Sequence, residues 1–205
     1  MNRIKSLIAI EEEIEKTAKH IFDDFKEFAT GYRVLMLLQR HKEGGETNNT
    51  KLIKYVTRNE QEYLDALRNL VRQKMDSDLP LRIYASVNER NFNKAIRVFK
   101  YEQLDADYYD QVQKENFYLD IKNRFIGCLM QQPQRATSYF LFDIDKIDGV
   151  DVQGEALKII PNELIVKMYP TKNGWHIVTE PFNHTKLNLP QFMELKVDGL
   201  LLLAY

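Results

Sequence analysis

Two aspartates one residue apart, Asp143 and Asp145, end the apolar run that begins at Tyr139 and continues Phe140-Leu141-Phe142. Residues i and i+2 of a strand face the same way, so this spacing aims both carboxylates at one point in space. Like charges that close repel unless a cation, a proton or a base lies between them, and an unpaired carboxylate is costly inside a strand. A divalent metal is the usual compensation. The alternative is a strand end emerging into solvent ahead of a loop from Lys146 to Asp151. Further along, Tyr169-Pro170-Thr171-Lys172-Asn173-Gly174-Trp175-His176 reads as a turn at Asn173-Gly174 feeding a strand that carries one of four histidines. Lys172 and the turn amides suit an anion, and His176 can donate to a phosphate oxygen. The competing reading is a structural imidazole beside Trp175.

A third stretch, Arg82 to Arg90, reads as a strand running into Asn88 and Arg90 just before a helix. A side-chain amide, a guanidinium and unpaired backbone donors at one place make an anion or nucleotide site, or else an ordinary helix cap with a solvated arginine. Lys196-Val197-Asp198-Gly199 has the lysine and Asp-Gly spacing of ligase-type nucleotidyltransferases, whose lysine becomes adenylated. Only six residues follow Gly199 in the sequence, too few for the phosphate and metal motifs those enzymes carry downstream. Asp198 is then a third carboxylate near the tip of a strand hairpin, or a turn residue with Gly199.

Elements that would hold these groups follow from periodicity. Ile4, Leu7, Ile8, Ile14, Ala18, Ile21, Phe22, Phe25 and Phe28 recur near 3.6 residues, predicting one or two amphipathic helices over residues 2–29. Tyr32 to Gln39 suits a buried strand, Glu43 to Asn49 a turn or flexible loop, and Lys51 to Thr57 a second strand, together a hairpin. Asn59 caps a helix reaching Met75, and Pro80 marks its exit. Leu81 to Val87 alternates as a strand; Asn91 or Asn93 caps the next helix, and the helical reading continues from Asp105 to Leu129. Ser138–Asp145, Ile165–Tyr169, Trp175–Thr179 and Leu195–Tyr205 supply the remaining strands. The fold class is α/β in the broad sense (α+β), a mixed sheet with N-terminal helices: a helical segment over 1–30 and a single domain over 31–205. Without a regular βα alternation, a Rossmann sheet is disfavoured.

Composition limits the partners. The 205 residues are 44% hydrophobic and 29% charged, a globular profile, and the formal net charge of −1 removes the argument from a strongly basic domain for nucleic acid without excluding it. A single cysteine, Cys128, cannot form an intramolecular disulfide, and no Cys/His cluster has zinc spacing. No stretch reads as a signal peptide or membrane span, so a cytoplasmic setting is expected.

In chain order these pieces resemble the archaeo-eukaryotic primase superfamily, the primase-polymerases. That family's hydrophobic-Asp-hydrophobic-Asp/Glu motif is matched by Phe142-Asp143-Ile144-Asp145, its small-x-His motif by Gly174-Trp175-His176, and its hydrophobic-acid motif by Val197-Asp198. Many members carry a tyrosine-containing strand ending in Val-Asn, similar to Tyr84 to Asn88. The chain also resembles uncharacterised bacteriophage proteins with an Arg-x-Tyr strand, an Asp-Ile-Asp strand and a Lys-Asn-Gly-x-His turn, the likeness covering residues 81–205. The resemblance implies a primase-polymerase core in which Asp143, Asp145 and Asp198 hold Mg²⁺ or Mn²⁺ and His176 contacts a nucleoside triphosphate. Lys172, Arg82, Arg90 and Asn88 would be further nucleotide contacts. It implies transfer of a nucleotide to a 3′ hydroxyl on DNA or RNA, in the cytoplasm of a phage host. The rival expectation is a non-catalytic nucleotide- or nucleic-acid-binding accessory or counter-defence protein that keeps the pocket.

Overall fold

The computed structural model describes residues 2–39, 53–108 and 111–205; the loop expected at Glu43–Asn49 lies outside the described residues. Helix α1 (Asn2–Phe25) runs into a 3-10 turn at Lys26–Phe28. Its stripe of Ile14, Ala18, Ile21 and Phe25 is buried with Leu67 and Leu70 of α2 (Glu60–Met75). The same cluster takes in Leu35 and Leu37 of β1 (Arg33–Gln39) and Ile83 of β3 (Leu81–Ser86). Asn59 starts α2 by accepting the Glu62 backbone N–H at 2.9 Å, which satisfies one of the donors a helix start leaves unpaired.

β1 lies between β2 (Ile53–Thr57) and β3, and β8 (Leu200–Ala204) closes the far edge, giving the order β2-β1-β3-β8 with every pair antiparallel. Leu35 and Leu37 face α1 and α2. Val34 and Met36, on the opposite pleat, meet Ala95 of α3 (Phe92–Tyr108) and Ile126 and Leu129 of α5 (Ile121–Met130). Helices on both faces explain why β1 reads as a continuous apolar run rather than an alternating one. Asn91 is the cap of α3, accepting the Lys94 N–H at 3.0 Å. The long helical reading after it is divided into the end of α3, α4 (Gln111–Leu119) and α5.

The second sheet has the order β5-β6-β4-β7, from Ile165–Thr171, Gly174–Thr179, Phe140–Asp145 and Met193–Lys196, again antiparallel throughout. Phe140, Phe142 and Ile144 point one way, into a cluster with Ile177, Met193 and residues of α6 (Val152–Ile159). Sequence periodicity did not single out this short helix, although Asp151 caps it by accepting the Gly154 N–H at 3.0 Å. Leu141 and Val178 point the other way and join the main cluster. The class is therefore α+β, with the strands divided between two antiparallel sheets. Among the described residues no helix is long and apolar enough to cross a membrane.

One expectation needs correcting. Leu195 to Tyr205 is not one strand, and Asp198 is not at the tip of a hairpin: β7 pairs with β4 in one sheet and β8 with β3 in the other. Val197, Asp198 and Gly199 are the crossing between sheets. Backbone groups buried at such a crossing need partners. Val87 N–H donates to Gly199 O at 3.1 Å, the Asn88 amide reaches Val197 O at 3.4 Å, and Arg135 also bonds Val197 O.

Candidate active site

Register decides which acids meet which bases. In the β4–β6 ladder Asp143 stands directly opposite His176, and in the β4–β7 ladder it stands opposite Glu194. Period-two alternation puts Leu141, Asp143 and Asp145 on one face, with Lys196 across from Leu141. The apolar half of this face, at Leu141 and Val178, is sealed in the core. Its polar half opens into a cleft of about 570 Å³, lined also by Arg82 and Tyr84 of β3, Lys172 and Asn173 of the β5–β6 turn, Asp198 and Leu202. That volume falls within the roughly 300–1,000 Å³ of small-molecule sites.

Asp143 has a partner on each oxygen. His176 Nε2 lies 3.2 Å from Oδ1 and Lys196 Nζ 2.5 Å from Oδ2. The His176 hydrogen bond, joined by that of Lys196, holds the carboxyl far below the ordinary carboxylate range despite its burial. Burial pulls the Lys196 ammonium down, but the hydrogen bond and charge of Asp143 outweigh it and leave the group above its usual value. Behind the imidazole, Tyr169 Oη is 2.8 Å from His176 Nδ1. Burial pushes the Tyr169 phenol well up, so the hydroxyl keeps its proton and stands as the partner of Nδ1, while Nε2 faces the Asp143 carboxylate, which can only accept. Tyr169–His176–Asp143 is thus an orienting chain across three adjacent strands.

Asp145 is exposed at the cleft rim, and among the described residues its carboxylate has no ion-pair or hydrogen-bond partner. Asp198 lines the same cleft but is differently committed. Arg90 grips it with two bonds of 2.8 Å, Nη1 to Oδ2 and Nη2 to Oδ1, and Asn88 Nδ2 adds a contact of 3.3 Å. Arg90 and Asn88, expected as nucleotide contacts or else as a helix cap with a solvated arginine, are fully buried and absent from the cleft wall. Their role is to hold the crossing between sheets. Asn88 Oδ1 also accepts the Tyr139 N–H at 2.6 Å, which ties the start of β4 to the end of β3.

The glycine of the turn is needed for reach rather than for turning. Lys172 and Asn173 are the two turn residues, one position earlier than the Asn-Gly reading placed them, and Gly174 already pairs with Asp145. A Cβ on Gly174 would sit 1.8 Å from the Ile144 carbonyl oxygen. Gly174→Ala should therefore separate β6 from β4 just beside Asp145 and lower stability by about 1–3 kcal/mol, as overpacking does. Urea denaturation checks this; an unchanged midpoint would contradict the close approach.

Asp143, Asp145, Asp198, His176, Lys172 and Arg82 share the cleft; Asn88 and Arg90 stand behind it. Sequence reasoning missed Tyr169, Glu194 and the present role of Lys196. Tyr169 carried a signal in hindsight, since a hairpin about Lys172-Asn173 places it opposite His176. Among the described residues no three His, Cys, Asp or Glu side chains form a group able to hold a metal ion as they stand. Magnesium, however, is ordinarily held by one or two carboxylates with substrate phosphates and water completing its shell. Asp143 and Asp145 fit that requirement, with an ammonium already standing as the cation on Asp143; Asp198, gripped on both oxygens, does not fit as the third ligand. No protein family, curated protein or solved structure matches this chain.

Proposed function

We propose that the protein is a primase-polymerase-like nucleotidyltransferase that binds a nucleoside triphosphate in this cleft and transfers its nucleotide to a 3′ hydroxyl of DNA or RNA. The observation that carries this reading is the pairing of Asp143 with His176 on one sheet face, sharing a cleft with Asp145, Lys172 and Arg82. Asp143 and Asp145 would hold Mg²⁺ or Mn²⁺. Bound there, the metal would lower the pKa of the attacking hydroxyl and neutralise charge on the leaving pyrophosphate. Asp143 is kept ionised and aimed by His176 and Tyr169, so it is ready as a ligand without first losing a proton. Lys172 and Arg82, both lining the cleft, would supply positive charge toward phosphates. A reducing cytoplasm, including that of a phage-infected cell, suits a chain whose one cysteine is a buried free thiol.

A second reading, a nucleotide- or nucleic-acid-binding accessory protein without chemistry, is favoured by a specific observation. Both Asp143 and Asp198 are already neutralised by the chain's own cations. Calorimetric titration of nucleoside triphosphates with Mn²⁺, followed by primer extension on DNA and RNA templates, separates the two. Binding with extension, lost in Asp145→Asn by about a hundredfold or more, supports the enzyme. Binding without product supports the accessory protein, and neither binding nor product removes both.

A further inference from the structure

The two neutralised carboxylates of the cleft are held in opposite ways. Asp198 is gripped by a guanidinium with no exposed surface, which has nowhere to withdraw. Asp143 Oδ2 is held by the Lys196 ammonium, on a flexible four-carbon stem that is part-exposed at the cleft and has Glu194 Oε2 at 3.3 Å as a second anchor. One clamp is fixed and the other can be released. A lone divalent cation reaching Asp143 would push this ammonium aside and leave two positive groups close together in a part-buried cleft, an unfavourable exchange. A cation arriving with a triphosphate changes the balance, because the phosphates offer the displaced ammonium a new anionic partner beside Lys172 and Arg82.

We propose that Lys196 is a resident counter-ion of Asp143, one that keeps a lone divalent cation off the carboxylate and yields it only when cation and triphosphate arrive together. The proposal rests on the nucleotidyltransferase reading, and it makes metal and nucleotide binding strongly coupled. Lys196 then moves from holding Asp143 to holding phosphate. Its stem is long enough to swing without backbone movement, whereas Arg90 stays to fix the sheet crossing.

Mn²⁺ binding to the full chain, measured by calorimetry without nucleotide and then with a non-hydrolysable nucleoside triphosphate analogue, tests this. Lys196→Met should bind Mn²⁺ alone about tenfold more tightly or better than the wild type, since the competing cation is gone. Lys196→Arg, which keeps a cation, should follow the wild type. The analogue should tighten Mn²⁺ binding strongly in the wild type and much less in Lys196→Met. Where the methionine variant fails to fold, Lys196→Gln provides the same reading, keeping a donor to Asp143 without the charge. Equal affinity of Lys196→Met and wild type for Mn²⁺ alone, with the wild type still binding Mn²⁺ and analogue together, overturns the counter-ion role and leaves the proposed function standing. A wild type that takes up no Mn²⁺ even with the analogue overturns both.

Discussion

Arg90→Met lowers the stability of the protein by about 3–5 kcal/mol, the range found when one partner of a buried ion pair is removed. The side chain has no exposed surface, and Asp198, only one-tenth exposed, accepts both of its terminal nitrogens at 2.8 Å. Truncation leaves the Asp198 carboxylate, largely buried at the cleft wall, with the single weak Asn88 contact at 3.3 Å. The loss is not confined to one pair, because Asp198 sits in the three-residue crossing that sends the chain from β7 in one sheet to β8 in the other. Denaturant midpoints of Arg90→Met, Asp198→Leu and the double variant measure it. The double variant should recover most of the loss, since two apolar side chains of similar bulk leave no buried charge unpaired. Additive losses in the double variant would show that the pair is not the source. An Arg90→Met protein as stable as wild type would mean the crossing is held by its remaining bonds, from Val87, Asn88 and Arg135.

Much of this architecture could be read from local sequence because local physics specifies it. Asn59 and Asn91 cap helices where their side chains predicted a start, and Ile14, Ala18 and Ile21 are buried at the spacing that marks an amphipathic face. The alternation of Phe142, Asp143, Ile144 and Asp145 was legible for the same reason: a strand sorts its side chains by parity, whatever sheet it joins. Ladder partners were not legible. Nothing in Leu195 to Tyr205 says that its two halves join different sheets, since that choice is made by Val87, Asn88 and Arg90, more than a hundred residues away. Arg90 misled for a related reason: a charged residue before a helix is ordinarily solvated, and only the tertiary position of Asp198 accounts for its burial. Lys196 stood out in the sequence for a covalent chemistry it does not support. Its contact with Asp143 depends on the β4–β7 register, which no local pattern of residues fixes.

The largest effect on activity is expected from Asp143→Asn, which should reduce nucleotidyl transfer by about a thousandfold, in line with removing a principal charge-stabilising group from a phosphoryl-transfer site. Asparagine keeps the shape of the side chain, and Glu194 remains 3.3 Å from the Lys196 ammonium, so circular dichroism should show an intact fold. What disappears is the negative charge toward which both His176 and Lys196 are directed. Stability should respond with a definite sign. The carboxyl is held below its ordinary range when folded, so its ionised form favours the native state. That contribution is fully present above the unfolded value of about 4 and fades only as the pH falls below it toward the depressed folded value. Wild type should therefore exceed Asp143→Asn in denaturant midpoint at neutral pH, and the gap should close progressively under acid. A constant gap down to strongly acid pH would mean that the variant lost packing rather than charge. Full primer-extension activity in Asp143→Asn would remove Asp143 from the proposed chemistry and leave the Tyr169–His176–Asp143 chain as a structural element of the sheet. Loss of transfer with unchanged triphosphate binding would instead place Asp143 in the chemical step, because ground-state contacts to the phosphates are then supplied elsewhere in the cleft, by Lys172 and Arg82.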